Sequence, residues 1–289
     1  MLKDKIIRYI LASAASISVL VVLLVFYFLF KESFLFAQAN GIKILLGTQW
    51  KPVSFFDPSF GVLPLITGSF LVTCIAGLIA IPLGIVIAVY LAEIAGEKEK
   101  EILKPLIEIL ASLPSVVLGF FGLVVLAPLI QKIFNLNSGL TALTGAVLLA
   151  VMAIPTITSV SEDALRAVPA LYKQASLALG ASRLQTIWRV TVPAGLSGIV
   201  AAVMLGMGRV IGETMAVLMV TGNAPALTFS PTESARTMTA TIASEMGEVA
   251  QGSEHYGALF WVGLILLFIT FLLVAFSQRI LKKYQNFKT

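Results

Sequence analysis

The sequence predicts an all-α integral membrane protein with six transmembrane helices, and three observations predict it. Of its 289 residues, 58% are hydrophobic and only 12% charged, against the ~25% charged share of a soluble domain. Mean hydropathy is +0.97. So few charges cannot cover a soluble surface, which excludes soluble enzymes, nucleic-acid binders and disordered chains. The apolar residues also gather into six runs, 9–30, 62–92, 109–130, 140–161, 195–220 and 256–277, each long enough for the ~20 residues that cross a bilayer as helix. The runs are continuous and lack the alternation of the ~10-residue strands of a membrane β-barrel.

The first run follows Lys3, Lys5 and Arg8 and precedes Ala37-Gln38-Ala39, which has the form of a cleavage site. This run of 22 residues exceeds the roughly 7–15 of a signal-peptide core, and Lys31 and Glu32 intervene before the small residues. It is therefore read as an uncleaved span. The loop 31–61 is aromatic, with Phe34, Phe36, Trp50, Phe55, Phe56 and Phe60. Such residues mark the headgroup level or meet a partner. Residues 1–61 form an N-terminal span with its outer loop, ahead of a five-helix core over 62–289.

The second run holds Cys74, the single cysteine, so no disulfide can form within the chain. A lone histidine, His255, cannot build a histidine metal site and reads as an ordinary loop residue. Ahead of the third run, Lys104 and Glu108 stand one turn apart and are expected to snorkel as a pair at the inner end. Pro82, Pro114, Pro128 and Pro155 fall within spans and either kink helices for packing or break them at a site. Between the fifth and sixth runs, 221–255 begins with Pro225 and Pro231. It is then read as helix from Glu233, with Ala235, Met238, Ile242, Met246 and Val249 on one stripe. That helix lies flat on the bundle or serves as a gate or docking element.

Basic residues orient the chain, because cytoplasmic loops collect Lys and Arg. With the N-terminus inside, alternating loops put fourteen of the twenty basic residues inside and five outside (Lys31, Lys43, Lys51, Lys132, Arg236), with Arg209 in the membrane. A multi-pass inner-membrane protein with both termini cytoplasmic is expected. The net charge of +5 thus reports topology. The outer side carries six acids, Glu32, Asp57, Glu233, Glu245, Glu248 and Glu254, and so has no basic funnel to draw in an anion. An anionic substrate would need delivery. No GxxxxGK[ST] occurs, so the chain is not expected to be an enzyme or to bind a cofactor itself. No internal repeat can be aligned, which weakens an inverted-repeat carrier.

The inner loop 162–194 is the most informative stretch. Pro169 suits the first turn of a helix, residues 170–179 are good helix formers, and Gly180 suits a left-handed stop. Ser182-Arg183-Leu184-Gln185 matches the capping box of a second helix, and Val192-Pro193 is expected to end it before span five. Two short helices would meet at a glycine corner, with Leu177, Leu179, Leu184 and Ile187 exposed beside Arg183 and Arg189. That shape fits a partner's groove, or an amphipathic segment on the inner leaflet.

Within this loop, Gln174-Ala175-Ser176, Gly180 and Val190-Thr191-Val192-Pro193 have a spacing similar to the EAA signature of ABC importer permeases. Gln174 stands where that family has Glu, and Ser176 where it has Ala. The runs 113–122 (LPSVVLGFFG) and 208–217 (GRVIGETMAV) resemble the phosphate ABC transporter permeases, and the likeness extends over nearly the whole chain. The resemblance implies the MetI-like permease fold and a loop seated in an ATPase subunit through Gln174, Ala175, Ser176, Gly180, Ser182 and Pro193. It also implies a second permease subunit (PstA-like), two ATPase subunits that hold ATP-Mg, and an extracytoplasmic phosphate-binding protein.

Arg209 and Glu213 call for an account in their own right, since a charge at mid-membrane costs ~2.5–3.5 kcal/mol or more. At i and i+4 on one helix they would share a face, and Gly208 and Gly212 would let a neighbouring helix approach. The pair is either a structural lock or part of a translocation path in which Arg209 meets an anion. The phosphate-permease resemblance implies the path. A permease for another oxyanion (sulfate, molybdate) and a self-sufficient ion-coupled carrier are the competing functions.

Overall fold

The computed structural model describes residues 2–40, 43–54 and 57–285; Phe55, Phe56 and Lys288 lie outside the described residues. α1 (Leu2–Asn40) and the short α2 (Lys43–Leu46) lead into β1 (Trp50–Lys51), which pairs antiparallel with β2 (Ser59–Phe60), Trp50 opposite Phe60. α3 (Leu63–Val89) starts with a proline in its first turn, where no N–H is needed, and ends in a π-helical turn, Tyr90–Ile94. α4 (Glu97–Ser112) follows. α5 (Ser115–Phe121), a π-helical turn (Gly122–Leu126) and α6 (Ala127–Ile133) together make the third span. α7 (Ala142–Arg166) is capped by Thr141, whose hydroxyl accepts from the Thr144 N–H. After it come α8 (Ala170–Ala178), α9 (Arg183–Thr186), α10 (Val192–Gly212), α11 (Met215–Val220), α12 (Met238–Glu245) and α13 (Glu254–Gln285). Among the described residues, six helical stretches are long and apolar enough to cross a membrane: Ile6–Gln38, Leu63–Ile94, Ser115–Ile133, Ala142–Arg166, Arg183–Gly212 and Glu254–Phe276.

α7 is the axis of the bundle, because most of its residues, many of them small, are buried against neighbouring helices. Ala142, Ala146, Leu149, Ala153 and Ile157 are buried against α3, α10 and α11. Two close glycine seams meet at Ile157. A Cβ at Gly84 of α3 would lie 2.7 Å from it, and one at Gly206 of α10 would lie 2.5 Å away. The glycines expected to admit a neighbour, Gly208 and Gly212, instead face open space within the chain. Helix rotation decides this: the packed side of α10 carries Gly195, Ile199, Ala202, Gly206 and Val210. α1 packs along α13, with Phe28 edge-on to Phe260 at 5.4 Å, and its other faces are exposed apolar surface.

Several boundaries differ from expectation. The third run is not one helix from 109. α4 is a separate amphipathic helix that exposes Ile102, Leu106 and Ile109. Leu113 and Pro114 are extended (ψ 133° and 137°), since proline pushes the residue before it out of the α region. The fifth run also breaks, with Glu213 extended (φ −69°, ψ 133°) between α10 and α11. Pro193 does not end a helix. The π-helical turn Ile187–Thr191 carries α9 into α10, and the widened turn accommodates the ring and the missing N–H. On the outer side, helix begins at Met238, capped by Thr237, and not at Glu233; Ala235 forms a bridge with Gly222. Met238, Ile242, Met246 and Val249 do share a side, packed on Trp50, Leu65 and Leu259, so the segment lies against the bundle.

The connections gather at two ends. At one end Lys104 pairs with Glu162 (3.4 Å) and Asp163 (3.7 Å), not with Glu108, and α8 and α9 reach the end of α3. The loops expected inside therefore converge there. At the other end Glu245 collects Arg236 Nη1 (2.8 Å), His255 Nε2 (2.8 Å) and Trp50 Nε1 (3.2 Å). His255 thus stands in the first turn of α13 with a carboxylate partner.

Candidate translocation site and glycine corner

Arg209 lies in the last turn of α10. Its Nη2 donates to the Ala111 carbonyl at 3.5 Å, in the last turn of α4, where helix carbonyls lack internal partners and carry the negative end of the dipole. Glu213 is not on the same helix face. The helix stops at Gly212, so the side chain turns toward α11, where Oε1 accepts from the Ala216 N–H at 3.2 Å. Its carbonyl accepts from Thr239 Oγ1 at 2.9 Å. No ion pair joins Arg209 and Glu213 among the described residues. The shared helix face expected from the i,i+4 spacing is thereby corrected: an extended residue rotates Glu213 away. A guanidinium offers five donors in a planar fork suited to oxyanions. Arg209 has one long bond to a carbonyl and stands between exposed Gly208 and Gly212, so most of that fork is open.

The corner is built as the local sequence requires. At the end of α8 the Gly180 N–H bonds to the Leu177 carbonyl (3.0 Å) and the Ala181 N–H to the Ser176 carbonyl (3.2 Å), with Gly180 at φ +83°. That is a Schellman motif, whose left-handed residue favours glycine. Ser182 Oγ then accepts from the Gln185 N–H (3.3 Å) and Gln185 Oε1 from the Ser182 N–H (2.9 Å), closing the capping box. Ser176 and Thr186 hydroxyls join the two arms at 2.9 Å. Gln174 and Ala175 are exposed on α8. The exposed large hydrophobic residues are Leu171, Tyr172, Leu177, Leu179, Leu184 and Trp188. Ile187 is not among them: it is buried with Ala88, Val89, Leu165 and Ile199, because the helix that follows Ser182 turns that side toward the spans.

The fold agrees with known proteins. Residues 80–285 match the model of the binding-protein-dependent transport system inner membrane component family. The chain belongs to that family. This permease is 44% identical to the probable ABC transporter permease protein YqgH of Bacillus subtilis, over 84% of this chain and 78% of that one. It is 37% identical to the phosphate transport system permease protein PstC of Mesorhizobium japonicum, over 93% and 88% of the two chains. With PstC of Haemophilus influenzae it is 34% identical over 86% and 83%. Among solved structures it resembles a bacterial alginate ABC transporter (TM-score 0.66, 13% identity, 96% of each chain) and the MetNI methionine ABC transporter (TM-score 0.58, 22% identity, 77% of this chain and 94% of that one). These establish the ABC importer permease (MetI-like) fold of a multi-pass membrane protein.

Two residues escaped the sequence reading. Glu162 is 1% exposed and paired with Arg166 (2.6 Å) and Lys104; its signal was an acid one turn before an arginine at the end of an apolar run. Glu93 stands at the end of span two, where it meets both arms of the corner; an acid at the edge of the second run was the only hint.

Proposed function

We propose that this permease is the transmembrane subunit of an ATP-driven importer of inorganic phosphate. The observation that carries the reading is Arg209, an intramembrane guanidinium without a carboxylate partner among the described residues, at a helix break. The chain in which it stands resembles phosphate permeases along most of its length. Arg209 meets the anion on the open side of α10, and Glu213 holds the break by capping α11. Two permeases face each other across that side, this chain and a PstA-like partner. The corner, with Gln174, Ala175, Ser176, Gly180, Ser182 and Pro193 in its frame, seats in one of two ATPase subunits, which hold ATP-Mg. Both termini are cytoplasmic. Because the outer side lacks a basic funnel, an extracytoplasmic binding protein delivers phosphate.

The test is reconstitution of the chain with a second permease, ATPase and binding protein in vesicles. Phosphate-loaded binding protein is expected to stimulate ATP hydrolysis and uptake. Stimulation by sulfate or molybdate but not phosphate would refute the substrate. Rapid phosphate flux through this subunit without ATP or binding protein would refute the importer.

A further inference from the structure

We infer that Glu93 is the residue through which movement of the cytoplasmic corner reaches span two, an inference that rests on the importer reading above. Glu93 lies in the π-helical turn that ends span two. Its Oε1 accepts from Lys173 Nζ of α8 at 2.5 Å. Its backbone carbonyl accepts from Arg183 Nη2 of α9 at 2.6 Å. Lys173 precedes Gly180 and Arg183 follows it, so the two arms of the corner grip one residue, one by its side chain and one by its main chain. The carbonyl is available because the last turn of a helix leaves its C=O groups without internal partners, and a cation there suits the helix dipole. The ion pair is largely enclosed, with 11% of the Glu93 side chain and 26% of that of Lys173 exposed.

The Ser176–Thr186 bond also links the arms directly. Glu93, Lys173 and Arg183 therefore close a triangle, and the glycine lies beyond it, at the tip. A push on the tip is not absorbed by a change in angle between α8 and α9; it moves the end of α3. From there packing is continuous. Gly84 of α3 sits on Ile157 of α7, and Ile157 sits on Gly206 of α10, one turn from Arg209. Coupling of this kind runs through contiguous packed elements, and its proof is energetic. Glu93 is a positioning residue: it touches neither ATP nor the transported anion.

The test uses the assembled importer in vesicles and reads phosphate moved per ATP hydrolysed. Glu93→Gln is expected to retain the ATPase and its hydrolysis rate, while transport per ATP falls about fivefold to tenfold, within the range of coupling substitutions. Lys173→Gln should behave alike, and the exchange Glu93→Lys with Lys173→Glu should recover coupling. A second reading is independent of the anion. ATP binding should alter hydrogen exchange over residues 85–94 in the unaltered complex, and Glu93→Gln should abolish that change. An unchanged phosphate-to-ATP ratio in both single variants overturns the inference. So does a nucleotide-linked exchange change that survives Glu93→Gln, or loss of the ATPase from both single variants, which would make the pair a docking element. An unaltered complex that moves no phosphate refutes the phosphate reading instead, and the exchange measurement still decides the role of Glu93.

Discussion

Replacing Gly180 separates the shape of the corner from the stability of the spans. Gly180 has φ +83°, and a Cβ there would meet nothing within 4 Å. Alanine therefore adds no clash and costs only the left-handed backbone, about 1–2 kcal/mol, which shifts the local equilibrium of the corner about fivefold to thirtyfold. Proline is worse. Its φ is locked near about −65°, and the Gly180 N–H bond to Leu177 (3.0 Å) is lost, about 1 kcal/mol more. The ring also disfavours the conformation of Leu179 before it. Tryptophan adds to the backbone cost a bulky ring projecting from the tip. No buried residue of the span core touches Gly180, so all three variants should insert at wild-type levels and unfold in detergent as the parent does. The assay is recovery of the ATPase with the purified complex, followed by phosphate uptake. Gly180→Ala should weaken both, and Gly180→Pro and Gly180→Trp should abolish them. Wild-type uptake by stably inserted Gly180→Trp would refute docking through this corner.

Two further predictions concern α10. Since Glu213 bonds to the Ala216 N–H and not to Arg209, the effects of Arg209→Gln and Glu213→Gln on stability should add to within about 0.5 kcal/mol. Arg209→Gln should assemble without transporting, and the double variant should stay inactive; restored phosphate uptake at matched expression would make the two a structural lock. Gly206→Val drives a side chain into Ile157 and should destabilise the bundle by about 1–3 kcal/mol. Gly208→Ala, which meets open space, should be neutral or stabilise by up to about 1 kcal/mol, as thermal unfolding in detergent will report; the reverse order would contradict the helix rotation described here.

Much of the site was legible because its signals are local. The Gly180 stop and the Ser182 capping box depend on residues within one turn of each other, and both stand where their spacing put them. Arg209 was legible as a lone cation in an apolar run. Its relation to Glu213 was not: i,i+4 spacing implies a shared face only if the helix is unbroken, and Gly212 followed by an extended Glu213 leaves no trace in hydropathy. The glycine seams were misread for a related reason. Gly206 and Gly208 look alike in sequence, and only the rotation of α10 against α7 decides which of them meets Ile157.

By itself the sequence determined that the chain spans a membrane six times as helix, which loops gather the basic residues, and where the corner between α8 and α9 turns. Those properties follow from run length, charge count and short-range capping, which need no distant partner. Tertiary structure alone decided that Glu93 receives both arms of the corner, that Lys104 serves Glu162 and not Glu108, and that Glu245 ties Trp50, Arg236 and His255 at the opposite end. Apart from Arg236 and His255, which are near Glu245 in sequence, these contacts join residues about 60 to 195 positions apart. Such contacts arise only when packed spans bring helix ends together, because a partly enclosed charge must find its partner wherever the fold supplies one.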